Sequence, residues 1–128
     1  MRKVKLGIQI GTPSGGTILV HQATVELSPT AGLVVHPEFL CVDGYTNKII
    51  RRRNRWVITH YPSGLAAFKD IPTKADALEI IANHMSHLNW VGMTGNDAVK
   101  SNPAEDISSM VKAVREHCDR LNTARKKK

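Results

Sequence analysis

Aromatic side chains are scarce in this chain: two Trp, two Tyr and two Phe make up 5 % of its 128 residues. Six rings are too few for an extended base-stacking platform, so recognition built on rows of stacked aromatics is not expected. Cysteine is scarcer still. Cys41 and Cys118 form no CxxC pair and no disulfide ladder, which excludes a zinc ribbon and a disulfide-stapled secreted scaffold. Two separate thiols in a reducing compartment are expected instead. No apolar run approaches the ~18–20 residues of a membrane span, so no membrane partner is expected. The basic start Met1-Arg2-Lys3-Val4-Lys5 lacks a following signal-peptide core, because Lys5, Gly7 and Gln9 interrupt the apolar residues. A cytoplasmic protein is the resulting expectation.

Acids are missing from most of the first half. Between Met1 and Lys69 nine Lys and Arg face three acids, Glu26, Glu38 and Asp43. Between Asp70 and Asp119 the balance reverses, with eight acids against four bases. From Arg120 to Lys128 there are five bases and no acid. The whole chain carries a formal charge of +7 and a pI of about 9.7. Basic regions flanking an acidic middle point to an anionic partner, most often nucleic acid.

What is present suffices for one domain. Apolar residues are 41 % of a 14.1 kDa chain, enough for a core without staples. Val4, Leu6, Ile8 and Ile10 alternate with polar or small residues, the period of a half-buried strand. A turn at Gly11 to Gly16 leads to a second strand from Thr17 to about Leu27, and the two form a hairpin. Leu33-Val34-Val35 and Phe39 to Val42 read as extended pieces broken at His36-Pro37, since proline cannot donate to a ladder. Ile49-Ile50 and Trp56 to Tyr61 are extended, with the basic run between them. Pro62-Ser63-Gly64 turns into a strand from Leu65 to Ile71.

The pattern then becomes helical. Thr73 and Asp76 stand three apart like a capping box. Leu78, Ile81, Ala82, Met85 and Leu88 form one stripe, with Gly92 as the stop. Asn102-Pro103 opens a second helix, Asn as cap and Pro at the first helical position. Its stripe is Ile107, Met110, Val111, Val114, Cys118 and Leu121. The order predicts an α+β domain: an N-terminal antiparallel sheet of about five strands, then two amphipathic helices packed on one face. Residues 1–122 form the domain and 123–128 a basic flexible tail.

Catalytic signatures are weak. The run from Gly11 to Thr17 lacks the Lys and Ser/Thr of a phosphate loop, whose places are taken by Thr17 and Ile18. No GxSxG elbow is present. Cys118 and His117 are neighbours on a helix and point apart. A paired-carboxylate site has little to draw on in the basic half. His84 and His87 share a helical face, but zinc needs further ligands that only the fold can supply, so both read as exposed polar residues. No enzyme activity, cofactor or metal is expected.

The strongest feature is Arg51-Arg52-Arg53-Asn54-Arg55-Trp56. Four guanidiniums in five residues each offer a fork that fits phosphate. Lys48 adds charge, and Trp56 and Tyr45 stand close enough in sequence to stack on bases, although Trp56 also suits a core anchor. Arg125, Lys126, Lys127 and Lys128 add a salt-sensitive contact. Contact with the backbone is favoured over base reading. The strand, Pro62-Ser63-Gly64 turn, strand and helix from Trp56 to Trp90 resemble small accessory proteins of phages and plasmids, a likeness that carries no functional residue across.

The sequence thus predicts a small non-enzymatic protein that binds DNA or RNA mainly through phosphate. A second reading is a phage or mobile-element inhibitor that sets its arginines against an acidic protein surface of a host nucleic-acid-handling complex. A third is a homo-oligomeric structural protein, with the second helix or a sheet edge as interface.

Overall fold

A computed structural model describes residues 3–11, 18–43, 48–61, 65–90 and 102–126 of the chain. Five strands form one antiparallel sheet in the order of the chain: β1 (Lys3–Gly11), β2 (Ile18–Leu27), β3 (Leu33–Asp43), β4 (Lys48–His60) and β5 (Leu65–Ile71). Helix α1 (Lys74–Ile80) continues into a π-helical turn, Ile81–Met85, and helix α2 (Ala104–Lys126) closes the described chain. The fold is α+β. The predicted turns at 12–16 and 62–64, the strand start at Thr17 and the Gly92 stop lie outside the described residues.

Leu33, Val34 and Val35 are fully buried although successive strand residues point to opposite faces. Strand β3 is therefore covered on both sides. On one side Leu33, Val35, Ile58 and Ile71 pack with Ala77, Ile80, Ile81, Met85, Met110 and Val114, which come from α1, the π-turn and α2. On the other, Val34 and Cys41 pack with Ile8, Ile10, Ala23 and Val25 of the β1–β2 hairpin. Strands β1 and β2 match along their whole length, from Lys3↔Glu26 to Gly11↔Ile18. Strands β2 and β3 share only Glu26↔Val35 and Leu27↔Val34. The hairpin is joined to the sheet at one end and covers the face that the helices leave. Reading the helices as the only cover missed this second cluster.

Three predicted breaks are not breaks. Strand β3 runs through His36-Pro37, and the proline is accommodated by a register shift between Pro37 and Phe39. Strand β4 runs through the arginines as a single 13-residue element. The second helix extends to Lys126 rather than ending at Asn122, because Thr123 to Lys126 contain neither Gly nor Pro to stop it.

Thr73 caps α1 as its spacing predicts, its hydroxyl accepting from the Asp76 amide at 3.1 Å. The helical stripe fails at Ala82, which is exposed. The Ser86 amide reaches back five residues to the Ile81 carbonyl at 2.9 Å, while the Ser86 hydroxyl donates to the Ala82 carbonyl at 2.9 Å. That wider turn shifts the side-chain phase. The Trp90 indole then donates to the Met85 carbonyl at 2.9 Å, satisfying a helix-end acceptor in the core. Asn102 clasps Asn89, accepting from its amide and donating to its carbonyl, both at 2.8 Å.

Candidate nucleic-acid interface

The arginine run is a wide bulge. On β3, Pro37 pairs with Trp56 and Phe39 pairs with Arg51. Glu38 alone therefore stands opposite Arg52, Arg53, Asn54 and Arg55. The chain makes the detour with Asn54 at φ 57°, a left-handed conformation that asparagine tolerates better than most residues. A second bulge faces it on β5. Trp56 pairs with Ile71 and Ile58 with Phe68, and Asp70 sits in the gap at φ 59°.

The bulge brings together residues five apart in sequence. Arg51 and Trp56 flank its base, and the Arg51 guanidinium carbon lies 5.9 Å from the Trp56 ring centre. Such a cation–π contact contributes about 0.5–1 kcal/mol at an exposed site. It also biases a flexible side chain toward one place. Trp56 is half-buried and packs against the helix-side core, so it is both an anchor and a platform.

Two arginines are engaged by carboxylates. Arg52 donates to Glu38 at 3.2 Å, with the Glu38 side chain 13 % exposed. Arg55 stands 3.8 Å from Asp70, a looser and more solvated pair. Arg51 and Lys48 are exposed. The backbone of Arg53 lies in the bulge, and its side chain is outside the described set. Arg125 and Lys126 lie on the last turn of α2. Tyr45, Lys127 and Lys128 fall outside the described residues. The structure thus brings Arg51, Arg52, Arg55 and Trp56 to one bulge, with Lys48 further along β4.

The faces of the sheet hold polar groups that sequence reading missed. His36 and Thr59 are buried side by side, at 2 % and 1 % exposure. His36 Nδ1 lies 2.7 Å from the Pro37 carbonyl, which can only accept. Nδ1 therefore carries the proton, and the Thr59 hydroxyl donates to the bare Nε2 at 2.6 Å. Burial holds His36 below the usual 6.5, against the opposing pull of the Pro37 hydrogen bond. The pair borders a pocket of about 120 Å³ whose lining includes Ile8, Ile10, Glu38, Val57 and Lys69. His60 donates to the Trp90 carbonyl at 2.8 Å and ties β4 to the segment after the π-turn.

At the helix face, His84 of the π-turn meets His117 of α2, ring nitrogen to ring nitrogen at 3.0 Å. The rings stand edge to face, at 87°. The two residues are separated by 33 positions, so no local spacing announces the pair. Cys41 and Cys118 form no disulfide, and burial is the first cause that raises the Cys118 thiol above its usual range. Among the described residues, no group of three or more metal-ligating side chains is gathered, and no helix is long and apolar enough to cross a membrane. No protein-family model, curated protein or solved structure matches this chain.

Proposed function

We propose that this chain is a small, non-enzymatic protein that binds nucleic acid through its phosphate backbone, at the β4 arginine bulge. The observation that carries the reading is the four-against-one bulge opposite Glu38. A regular strand sends alternate side chains to opposite faces. The detour lifts four residues out of that alternation, and the Arg51 guanidinium lies over the Trp56 ring, which biases it toward one place. A preset guanidinium loses less freedom on meeting a phosphate than a mobile one. Arg52 and Arg55 exchange a carboxylate for a phosphate when they engage. Lys48 extends the positive track, and the basic end of α2, from Arg125 onward, adds a further contact.

A second reading has its own support. Glu38 and Asp70 already occupy two of the arginines. The surface therefore accepts carboxylates, which suits an acidic protein partner such as a host complex targeted by a phage or mobile-element inhibitor. Both readings place the protein in the cytosol, where thiols such as Cys41 and Cys118 persist.

Titration of labelled single- and double-stranded DNA and RNA with nuclease-treated protein, at ~50 and ~200 mM salt, separates the two. With about four phosphate contacts, affinity falls roughly 10²-fold across that range. Saturable binding with that slope, weakened in Arg51→Ala, supports the nucleic-acid reading. Absence of binding at the lower salt removes it and leaves the acidic protein partner.

A further inference from the structure

We propose that His84 and His117 form a binding site for a divalent transition-metal ion of the zinc class, clamping the π-turn to α2. This site is remote in kind from the arginine bulge and does not depend on the phosphate-binding reading.

A tetrahedral ion holds imidazole nitrogens at about 2.0–2.1 Å, which sets two ligand nitrogens about 3.3 Å apart. His84 Nε2 and His117 Nδ1 stand 3.0 Å apart. An opening of a few tenths of an ångström, within the reach of small side-chain rotations, admits the ion between them. The edge-to-face rings, at 87°, avoid the stacking that would keep an ion out. Both residues are only partly buried, so an ion has a path from solvent and water can complete its shell.

The Arg120 guanidinium and the Glu79 carboxylate both act on the His84 ring, the first against a bound cation and the second for it.

Placement supplies the rest. His84 lies within the five-residue π-turn, the element that departs from regular helical phase. Such turns are often retained where a side chain must be aimed. Here the aim is across to α2. No cage of three ligands stands ready among the described residues, so the site is a two-nitrogen clamp of moderate affinity. Imidazole pairs suit zinc, copper, nickel and cobalt, and exclude magnesium and calcium.

The test uses the full chain, stripped with chelator and titrated with Co²⁺, followed by Zn²⁺ competition. One ion per chain is expected, with visible ligand-field absorption and no thiolate charge-transfer band, because Cys41 and Cys118 do not ligate. Metal at about a hundred times its Kd raises the folded-to-unfolded ratio about a hundredfold in a thermal melt. His84→Asn and His117→Asn each weaken binding at least tenfold, and His36→Asn leaves it unchanged. Magnesium produces no effect. If one histidine variant fails to fold by circular dichroism, the other carries the test. Wild-type binding no tighter than that of a folded His84→Asn or His117→Asn chain overturns the proposal. So does a dominant thiolate band, or the absence of any binding at ~1 mM ion.

Discussion

Gly32 meets Trp90 backbone to side-chain position: a Cβ built on Gly32 would lie 2.3 Å from the Trp90 carbonyl oxygen. That oxygen also accepts from buried His60 at 2.8 Å, so it has little freedom to retreat. Gly32 adopts φ +92°, outside the range that an L side chain readily occupies. Its own carbonyl accepts from the Tyr61 amide at 2.8 Å, fixing the turn to β4. Gly32→Ala is expected to destabilise the fold by about 3 kcal/mol or more, combining conformational strain with a backbone clash. Urea denaturation at neutral pH checks this; a loss under 1 kcal/mol would show that the Trp90 segment moves aside.

Trp90→Phe isolates a different part of the same junction. The ring volume is largely kept, but the Met85 carbonyl loses its indole donor in a buried place. The Leu88 amide still donates to that carbonyl at 3.1 Å, so a loss of about 1–2 kcal/mol is expected, from one buried hydrogen bond plus the smaller ring. Paired urea midpoints for wild type and variant give the figure.

Those two residues show what sequence patterns can and cannot carry. Strand alternation in Val4 to Ile10 and the 3–4 spacing of Met110 and Val114 reach the reader directly, because each period belongs to one element. The arginine run was visible as charge, yet its shape was not. Four residues inserted opposite Glu38 break the period of two, so one strand reads as two pieces with a loop between them. The π-turn hid in the same way, since one widened turn shifts the phase and brings Met85 into line with Ile81 on the buried face. His84–His117, His36–Thr59 and Gly32–Trp90 are tertiary pairs, and nothing local encodes them. The fold class was legible, then, and the chemistry of its junctions was not.

Stability is expected to fall in mild acid. His36 and His84 both hold protons less well folded than at the ordinary 6.5, each chiefly through burial. Below pH 6.5 the unfolded chain takes up protons at these positions and the folded chain resists. Stability from this source is complete above 6.5 and declines as pH falls below it. The His84 share is modest, because that ring is only partly buried. Urea midpoints at pH 7.5 and 5.5 should differ in that sense, and His36→Gln should narrow the difference. Equal narrowing by a surface substitution such as His87→Gln would assign the effect elsewhere.

Neighbouring arginines are expected to separate stability from binding. Arg51→Ala removes an exposed cation over Trp56 and costs under about 1 kcal/mol. It lowers the salt slope of nucleic-acid binding by about one unit, as the loss of one phosphate contact does. Arg52→Ala instead strands Glu38, whose side chain is 13 % exposed, and costs about 1–2 kcal/mol. A Glu38→Gln, Arg52→Ala double variant recovers part of that loss. Denaturation curves beside salt titrations of the three variants give both readouts.

The end of α2 is expected to divide at Asn122. The Asn122 side-chain amide donates to the Asp70 carbonyl at 3.1 Å. That carbonyl belongs to the β5 bulge, at a residue held at φ 59° and skipped by the ladder between Phe68 and Ile71. Asn122 thus supplies a partner that the bulge removes, and Leu121 packs beside it against the helix-side core. A chain ending after Asn122 should keep its stability within about 0.5 kcal/mol, since Thr123 and Ala124 are exposed. Asn122→Ala in the full chain should lose about 0.5–1 kcal/mol, the net worth of one exposed hydrogen bond. The shortened chain should also show a shallower salt slope, having lost Arg125, Lys126, Lys127 and Lys128. An unchanged slope would confine phosphate contact to the β4 bulge.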